Sequence, residues 1–125
     1  MNREHWKEQP DEHDFPSAAD YLSLLFPEDR VNKIVTGLRA APVMHRKAKD
    51  LLRASRLELL PQDNVHVAKD LAKVKSGQGL SPVLLVRGKA ESDVPLTVAD
   101  GYHRICASYH IAEDADIPCH IVDAT

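Results

Sequence analysis

The chain has 125 residues, of which 28% are charged and 43% hydrophobic, and its formal net charge at pH 7 is −3. This length and balance predict one soluble globular domain that buries its core without disulfide or metal staples. No segment has the roughly 18 continuous apolar residues of a membrane span, and the first residues lack the apolar run of a signal peptide. We therefore expect a cytoplasmic protein without a membrane partner.

The N-terminal residues 1–16 are polar and are predicted to form a flexible tail, which Trp6 and Phe15 dock onto the body. Apolar residues then recur at helical spacing, so residues 17–56 are predicted to form a helical preface to the rest of the domain. Its three helices are expected to begin at Ser17, Glu28 and Met44.

From Leu57 onward the pattern changes to short apolar, β-branched runs bounded by Gly and Pro, alternating with helical segments. This pattern predicts the order strand, helix, strand, hairpin, strand, helix, strand. The predicted fold class is α+β, a small mixed β-sheet with packed helices, and residues 17–125 form a single domain with its core in 57–125. The strands are expected at residues 57–61, 82–86, 96–99 and 117–122.

Asp100-Gly101-Tyr102-His103-Arg104 is the most informative stretch, because it reads as a strand end, a polar turn and the start of a helix. Glycine lets the backbone turn sharply and lets a ligand approach closely. The first amides of a helix lack internal partners and lie at the positive end of its dipole, so they favour an anion. The stretch therefore predicts a phosphate site, although a helix cap beside a solvated Arg fits the same residues.

Individual side chains around this turn each have two interpretations. Arg104, expected to be exposed at the mouth of the turn, is the best candidate for phosphate contact, and His103 for a donor or acid–base group. Asp100 either caps the amides of Tyr102 and His103 or reaches magnesium through water. Ser81 either binds phosphate or a nucleobase, or its hydroxyl is satisfied by backbone.

The ordered motifs resemble the ParB/sulfiredoxin-like superfamily. The similar segments are Gly79-Leu80-Ser81-Pro82 with the apolar residues up to Val86, the strand and turn at 96–104, and x-Pro-apolar at 117–122. The resemblance covers about half the chain and leaves out residues 1–56. It implies a ParB/sulfiredoxin-like sheet with a nucleotide or another phosphorylated ligand at the turn, and Leu57–Pro61 as the opening strand.

Within that superfamily, the turn most resembles the Asp-Gly-His-His-Arg turn of ADP-dependent free serine kinases. Those enzymes place a catalytic Glu shortly after the Pro of the first strand, and the matching position here is Asp63. The resemblance thus implies Asp63 and His103 as catalytic residues and a magnesium nucleotide as ligand. Asp63 is one methylene shorter than Glu, and it also fits an N-cap of a helix that starts near Val65.

Other chemistries of the superfamily fit less well. Sulfiredoxins carry their catalytic Cys at the position of Tyr102, so sulfiredoxin chemistry is excluded. ParB proteins bind CTP through Gly-Glu-Arg-Arg, of which only Arg104 is kept. Direct DNA binding is not expected either, because a basic stripe is missing and the lysines from Lys69 to Lys75 fit the outer face of a helix.

Metal and thiol chemistry are not expected. His103, Cys106 and His110 share one helical face, but no fourth ligand completes a zinc site, so no metal site is predicted. Cys106 and Cys119 lie in apolar contexts and are predicted to be reduced and buried.

The sequence therefore predicts a protein that binds a nucleotide or phosphate ester between the 100–104 turn, residues 62–64 and Ser81. Phosphoryl transfer and hydrolysis are open alternatives, as is oligomerisation. The other function considered is a non-catalytic ParB-like module for protein interaction or for assisting DNA partition. An enzyme would need a base within reach of the phosphate, whereas a module would not.

Overall fold

A four-stranded mixed sheet forms the centre of the computed structural model, which describes residues 5–124. The strands are β1 (Met44–Lys47), β2 (Val83–Val86), β3 (Thr97–Asp100) and β4 (Asp116–Val122), in the order β1-β4-β2-β3. β4 runs parallel to β2 and antiparallel to β1, and β2 is antiparallel to β3. The predicted α+β class and the last three predicted strands are confirmed.

Helices cover both faces of this sheet. The helices α1 (Asp14–Leu22) and α2 (Glu28–Ala40) pack on one face, and α3 (Ala48–Ser55), α4 (Val65–Lys75) and α5 (Tyr102–Ile111) pack on the other. Side chains of a strand alternate between faces, and Leu84 and Val86 join the first helical layer while Val83 and Leu85 join the second. Within residues 5–124, no helix is long and apolar enough to cross a membrane.

The predicted first strand, Leu57–Pro61, is wrong, because these residues form no strand. They run along α5 instead, where the Tyr102 hydroxyl donates to the Glu58 carbonyl at 2.6 Å and His110 Nε2 lies 2.7 Å from the Leu60 carbonyl. The sheet position is taken by β1, which the sequence predicted as the first turn of a helix. Pairing with β4 supplies that segment with a ladder of hydrogen bonds, which outweighs its weak helical preference.

The N-terminal segment packs on the body from Trp6 onward, whereas residues 1–4 of the predicted tail lie outside the described residues. Trp6 is buried and bridges to Leu80, with backbone bonds on both sides of the bridge. Phe15 is buried in the first helical layer, and α1 begins at Asp14 rather than at Ser17. The predicted docking by Trp6 and Phe15 is confirmed. Residues 14–16, predicted as the end of the tail, belong to α1.

Candidate functional site

The turn between β3 and α5 is built around Gly101. Gly101 is the N-cap residue of α5 and has a φ of +115°. A Cβ at this position would lie 2.4 Å from Val83 Cγ1, so the turn has no room for a side chain. No side-chain hydrogen bond caps this end of α5. The predicted strand, turn and helix are confirmed, and the first amides of α5 remain available to a ligand.

Asp100 does not cap those amides, which corrects one of its two predicted roles. Its Oδ2 accepts a hydrogen bond from Arg104 Nη2 at 3.0 Å, and the side chain is largely buried. Burial raises the pKa of Asp100, Arg104 partly opposes that rise, and the nearby charge of Asp14 adds to it. The Asp100 carboxylate is therefore paired with the Arg104 guanidinium and not with the amides of α5.

Arg104 is more buried than the sequence suggested, with 17% of its side chain exposed. Besides Asp100, its Nη2 donates to the Pro82 carbonyl at 3.3 Å and lies 3.9 Å from Asp14 Oδ2. Arg104 thus connects the turn to the start of β2 and to the N-terminal end of α1. It also lines a cleft between the turn and α4, so its charge contributes to the electrostatic potential there.

A cleft of about 240 Å³ separates the turn from α4. The cap of α4 is Asn64, whose Oδ1 accepts from the backbone amides of His66 and Val67 at 3.0 and 3.2 Å. From this start, residues spaced i, i+3, i+4 and i+7 share the face that looks across the cleft. Its lining consists of the five turn residues 100–104 with His66, Lys69, Asp70 and Lys73.

The α4 wall of the cleft, formed by His66, Lys69, Asp70 and Lys73, was not predicted from the sequence. The sequence pattern instead placed Lys69 and Lys73 on the outer face of a helix. The spacing of His66, Lys69, Asp70 and Lys73 was a usable signal, since it marks a polar stripe on one side of a helix. Burial raises the pKa of Asp70, whereas Arg104, Lys73 and the two histidines of the cleft pull it down. With Lys69, Lys73 and Arg104 against two carboxylates, the cleft has a positive excess beside a helix N-terminus.

His103 lines this cleft, and its role as a binding or acid–base residue stays a prediction. Its ring packs against that of His66, with centroids 4.6 Å apart and planes at 43°. Burial lowers the pKa of His103, His66 lowers it further, and Asp70 raises it. A neutral imidazole near pH 7 can both donate and accept a hydrogen bond, so His103 is suited to proton transfer.

The lowered pKa of His103 predicts a pH dependence of folding. Its pKa in the folded protein lies below the ordinary value of 6.5, so the stabilisation is present above pH 6.5 and is lost as the pH falls through the folded-state pKa. Urea unfolding at a series of pH values from about 7.5 to about 5 should show this loss, and His103→Gln should flatten it. His45→Gln, on β1 and outside the cleft, is the control, and a wild-type slope in His103→Gln would contradict the assignment.

The other two predicted site residues, Asp63 and Ser81, do not line the cleft. Asp63 is exposed in the turn before α4 and is not among the cleft-lining residues. Its alternative role as N-cap is wrong, because Asn64 fills that position. Ser81 is buried close to Asp11, whose pKa is lowered most by Lys7 and further by Ser81. The residues that face the turn across the cleft are therefore those of the α4 wall, and not residues 62–64 and Ser81 as predicted.

Both cysteines are free and buried, as predicted. Burial raises the pKa of Cys106 and raises that of Cys119 to about 11, which disfavours the nucleophilic thiolate. Cys106 is fully buried and His110 Nε2 lies 2.7 Å from the Leu60 carbonyl, so these two side chains are used for packing, whereas His103 lines the cleft.

Comparison of the chain with protein-family models, curated proteins and solved structures found no match. The resemblance to the ParB/sulfiredoxin-like superfamily stays a prediction from motifs.

Proposed function

We propose that this protein binds a phosphate ester or the phosphates of a nucleotide in the cleft between the 100–104 turn and α4. The observation that supports this best is the uncapped N-terminus of α5 facing Lys69 and Lys73. Backbone amides at a helix N-terminus and lysine ammonium groups both bind phosphate oxygens.

In this proposal the residues have distinct tasks. The amides of Tyr102 and His103 bind phosphate oxygens, and Gly101 lets the ligand approach the backbone. Lys69 and Lys73 neutralise the ligand's charge from the opposite wall. Arg104 holds the turn in place through Asp100 and adds positive potential, rather than acting as the first phosphate ligand.

A magnesium ion brought by a nucleotide would meet one carboxylate in the cleft, Asp70, since Asp100 is hydrogen-bonded to Arg104. Magnesium is commonly held by one or two carboxylates together with phosphate oxygens and water, so Asp70 fits this role when phosphate is present. Whether phosphate is transferred or hydrolysed depends on a base at the ligand. The acid–base groups of the cleft include His66, His103 and Asp70, and we assign no role to Asp63.

A thermal-shift screen of the whole chain tests the proposal. The compounds are inorganic phosphate, pyrophosphate and nucleoside di- and triphosphates, each with and without Mg²⁺. A compound present at about 100 times its dissociation constant should stabilise the fold by about 2.7 kcal/mol. Stabilisation by none of them would contradict phosphate binding.

Lysine variants locate the site. We expect Lys69→Ala and Lys73→Ala each to weaken binding of the best compound about tenfold, because a hydrogen bond to a charged group is worth at least about 1.5 kcal/mol. Calorimetric titration measures the loss. Lys75→Ala is the matched control, since Lys75 is an exposed lysine of the same helix outside the cleft lining. Equal affinities in all three variants would place the ligand elsewhere.

The second candidate is a non-catalytic protein-interaction module, including the DNA-partition accessory that the resemblance allows. It is favoured by apolar side chains near the end of α1, where Tyr21, Leu24 and Leu25 are 46%, 79% and 49% exposed. Exposed apolar groups of this size are typical of partner surfaces when they form a contiguous patch. A negative phosphate screen with an intact fold would make this candidate the leading one.

A further inference from the structure

The cleft between the turn and α4 contains more polar side chains than a phosphate group needs. Besides the α5 amides and the two lysines assigned to phosphate, its lining includes His66, His103 and Asp70. Asp70 is half-buried, and among residues 5–124 its carboxylate makes no hydrogen bond and no ion pair. A carboxylate accepts hydrogen bonds and repels phosphate oxygens, so Asp70 is suited to a different part of the ligand.

The electrostatic neighbours of Asp70 all belong to the cleft. Burial raises the pKa of Asp70. The charges that oppose this rise come from residues that line the same cleft, namely Arg104, Lys73, His103 and His66. These charges favour the ionised carboxylate, which is a strong acceptor of hydrogen bonds from hydroxyl groups.

The two histidines offer further partners for hydroxyl groups. The centroids of the His66 and His103 rings are 4.6 Å apart, and among the described residues neither ring makes a hydrogen bond. A neutral imidazole has one donor and one acceptor nitrogen. Together with Asp70, these rings therefore provide free donors and acceptors beside the phosphate position.

The cleft lacks the volume and the surface that a nucleobase requires. Its volume of about 240 Å³ is below the roughly 300 Å³ at which pockets for drug-sized ligands begin. Within the described part of the chain, its lining includes no Val, Leu, Ile, Met or Phe. Bases stack on aromatic faces, but the His103 ring already packs against those of His66 and Tyr102. A nucleotide bound here would therefore leave its base in solvent.

We infer that the cleft selects a small phosphate monoester whose carbon skeleton carries several hydroxyl groups, such as a sugar phosphate, over a nucleotide. This inference rests on the proposed function, because it takes phosphate binding by the α5 amides, Lys69 and Lys73 as given. Asp70 accepts hydrogen bonds from the ligand's hydroxyl groups, and His66 and His103 make further hydrogen bonds with them. In such a complex Asp70 binds the ligand directly, without magnesium.

Calorimetric titration of the full chain without divalent metal tests the inference with matched pairs of compounds. Glycerol 3-phosphate should bind at least about tenfold more tightly than propyl phosphate, which has the same carbon chain without hydroxyl groups, because one hydrogen bond to a charged group contributes about that factor. AMP contains ribose 5-phosphate with adenine in place of one hydroxyl group, and it should bind no more tightly than ribose 5-phosphate.

The outcomes separate this inference from the proposed function. Equal affinities for glycerol 3-phosphate and propyl phosphate, or tighter binding of AMP than of ribose 5-phosphate, would overturn the inference and leave phosphate binding in place. Binding of no phosphate compound, inorganic phosphate included, would overturn both.

Asp70→Ala tests whether Asp70 recognises the hydroxyl groups. We expect this variant to lose the preference for glycerol 3-phosphate and to bind inorganic phosphate more tightly, because a negative charge has left the cleft. Ala is the best helix former, so α4 is kept. Asp63→Ala is the matched control and should keep the wild-type affinities, since Asp63 is exposed and does not line the cleft. A wild-type preference in Asp70→Ala would contradict the inference.

Discussion

Replacement of Arg104 by Ala is expected to destabilise the protein by about 3–5 kcal/mol, the usual cost of removing one partner from a buried ion pair. The guanidinium lies between Asp100 at 3.0 Å and Asp14 at 3.9 Å, and both carboxylates are largely or fully buried. Without Arg104, two negative charges would face each other in a poorly solvated place. The Pro82 carbonyl would also lose a donor.

Urea unfolding of wild type and variant measures this effect. Arg53→Ala is the matched control, because Arg53 makes an exposed pair with Asp50 and such pairs contribute about 0–1 kcal/mol. Arg104→Lys should restore part of the stability, since an ammonium keeps the charge but not the planar fork. An Arg104→Ala variant that keeps wild-type stability but loses phosphate affinity would instead make Arg104 a direct ligand of the phosphate.

The difference between the predicted and the observed Arg104 shows where sequence reasoning stops. The turn itself was predictable because its signals are local: β-branched residues before it, a glycine at the bend and polar residues that open a helix. The burial of Arg104 depends on Asp14, which is distant in sequence and comes close because α1 packs on β3. The spacing of residues within the turn therefore cannot predict the contact between Arg104 and Asp14.

The first strand and the cleft wall were missed for related reasons. Met44–Lys47 has no strong strand pattern, and it becomes a strand because the edge of β4 is open to antiparallel pairing. The polar stripe of α4 was visible in the sequence as the spacing of Lys69 and Lys73. Which helix end it faces is decided by the packing of α4 on α5. The resemblance implies Asp63 as a catalytic residue because it implies a strand at Leu57–Pro61, and these residues form no strand.

The second large effect is expected at Gly101, where Gly101→Ala should cost about 3 kcal/mol. Two penalties add up, because a side chain at positive φ costs about 1–2 kcal/mol and overpacking a core costs about 1–3 kcal/mol. The φ at this position is +115°, and the new Cβ would meet the buried Val83 side chain at 2.4 Å. Urea unfolding again measures the change, and phosphate affinity should fall with it because the α5 amides would shift.

Gly77→Ala separates the two penalties. Gly77 also has positive φ, +84°, but an added Cβ there would have no neighbour within 4 Å, so it should cost only the backbone strain of about 1–2 kcal/mol. The excess at Gly101 then measures the clash with Val83. Combining Gly101→Ala with Val83→Ala should cost less than the sum of the single changes, since the smaller residue removes the obstructing Cγ1. Equal losses at Gly77 and Gly101, or strict additivity with Val83→Ala, would show that the turn relaxes away from β2, and the close approach of β2 would then not be what requires glycine at this position.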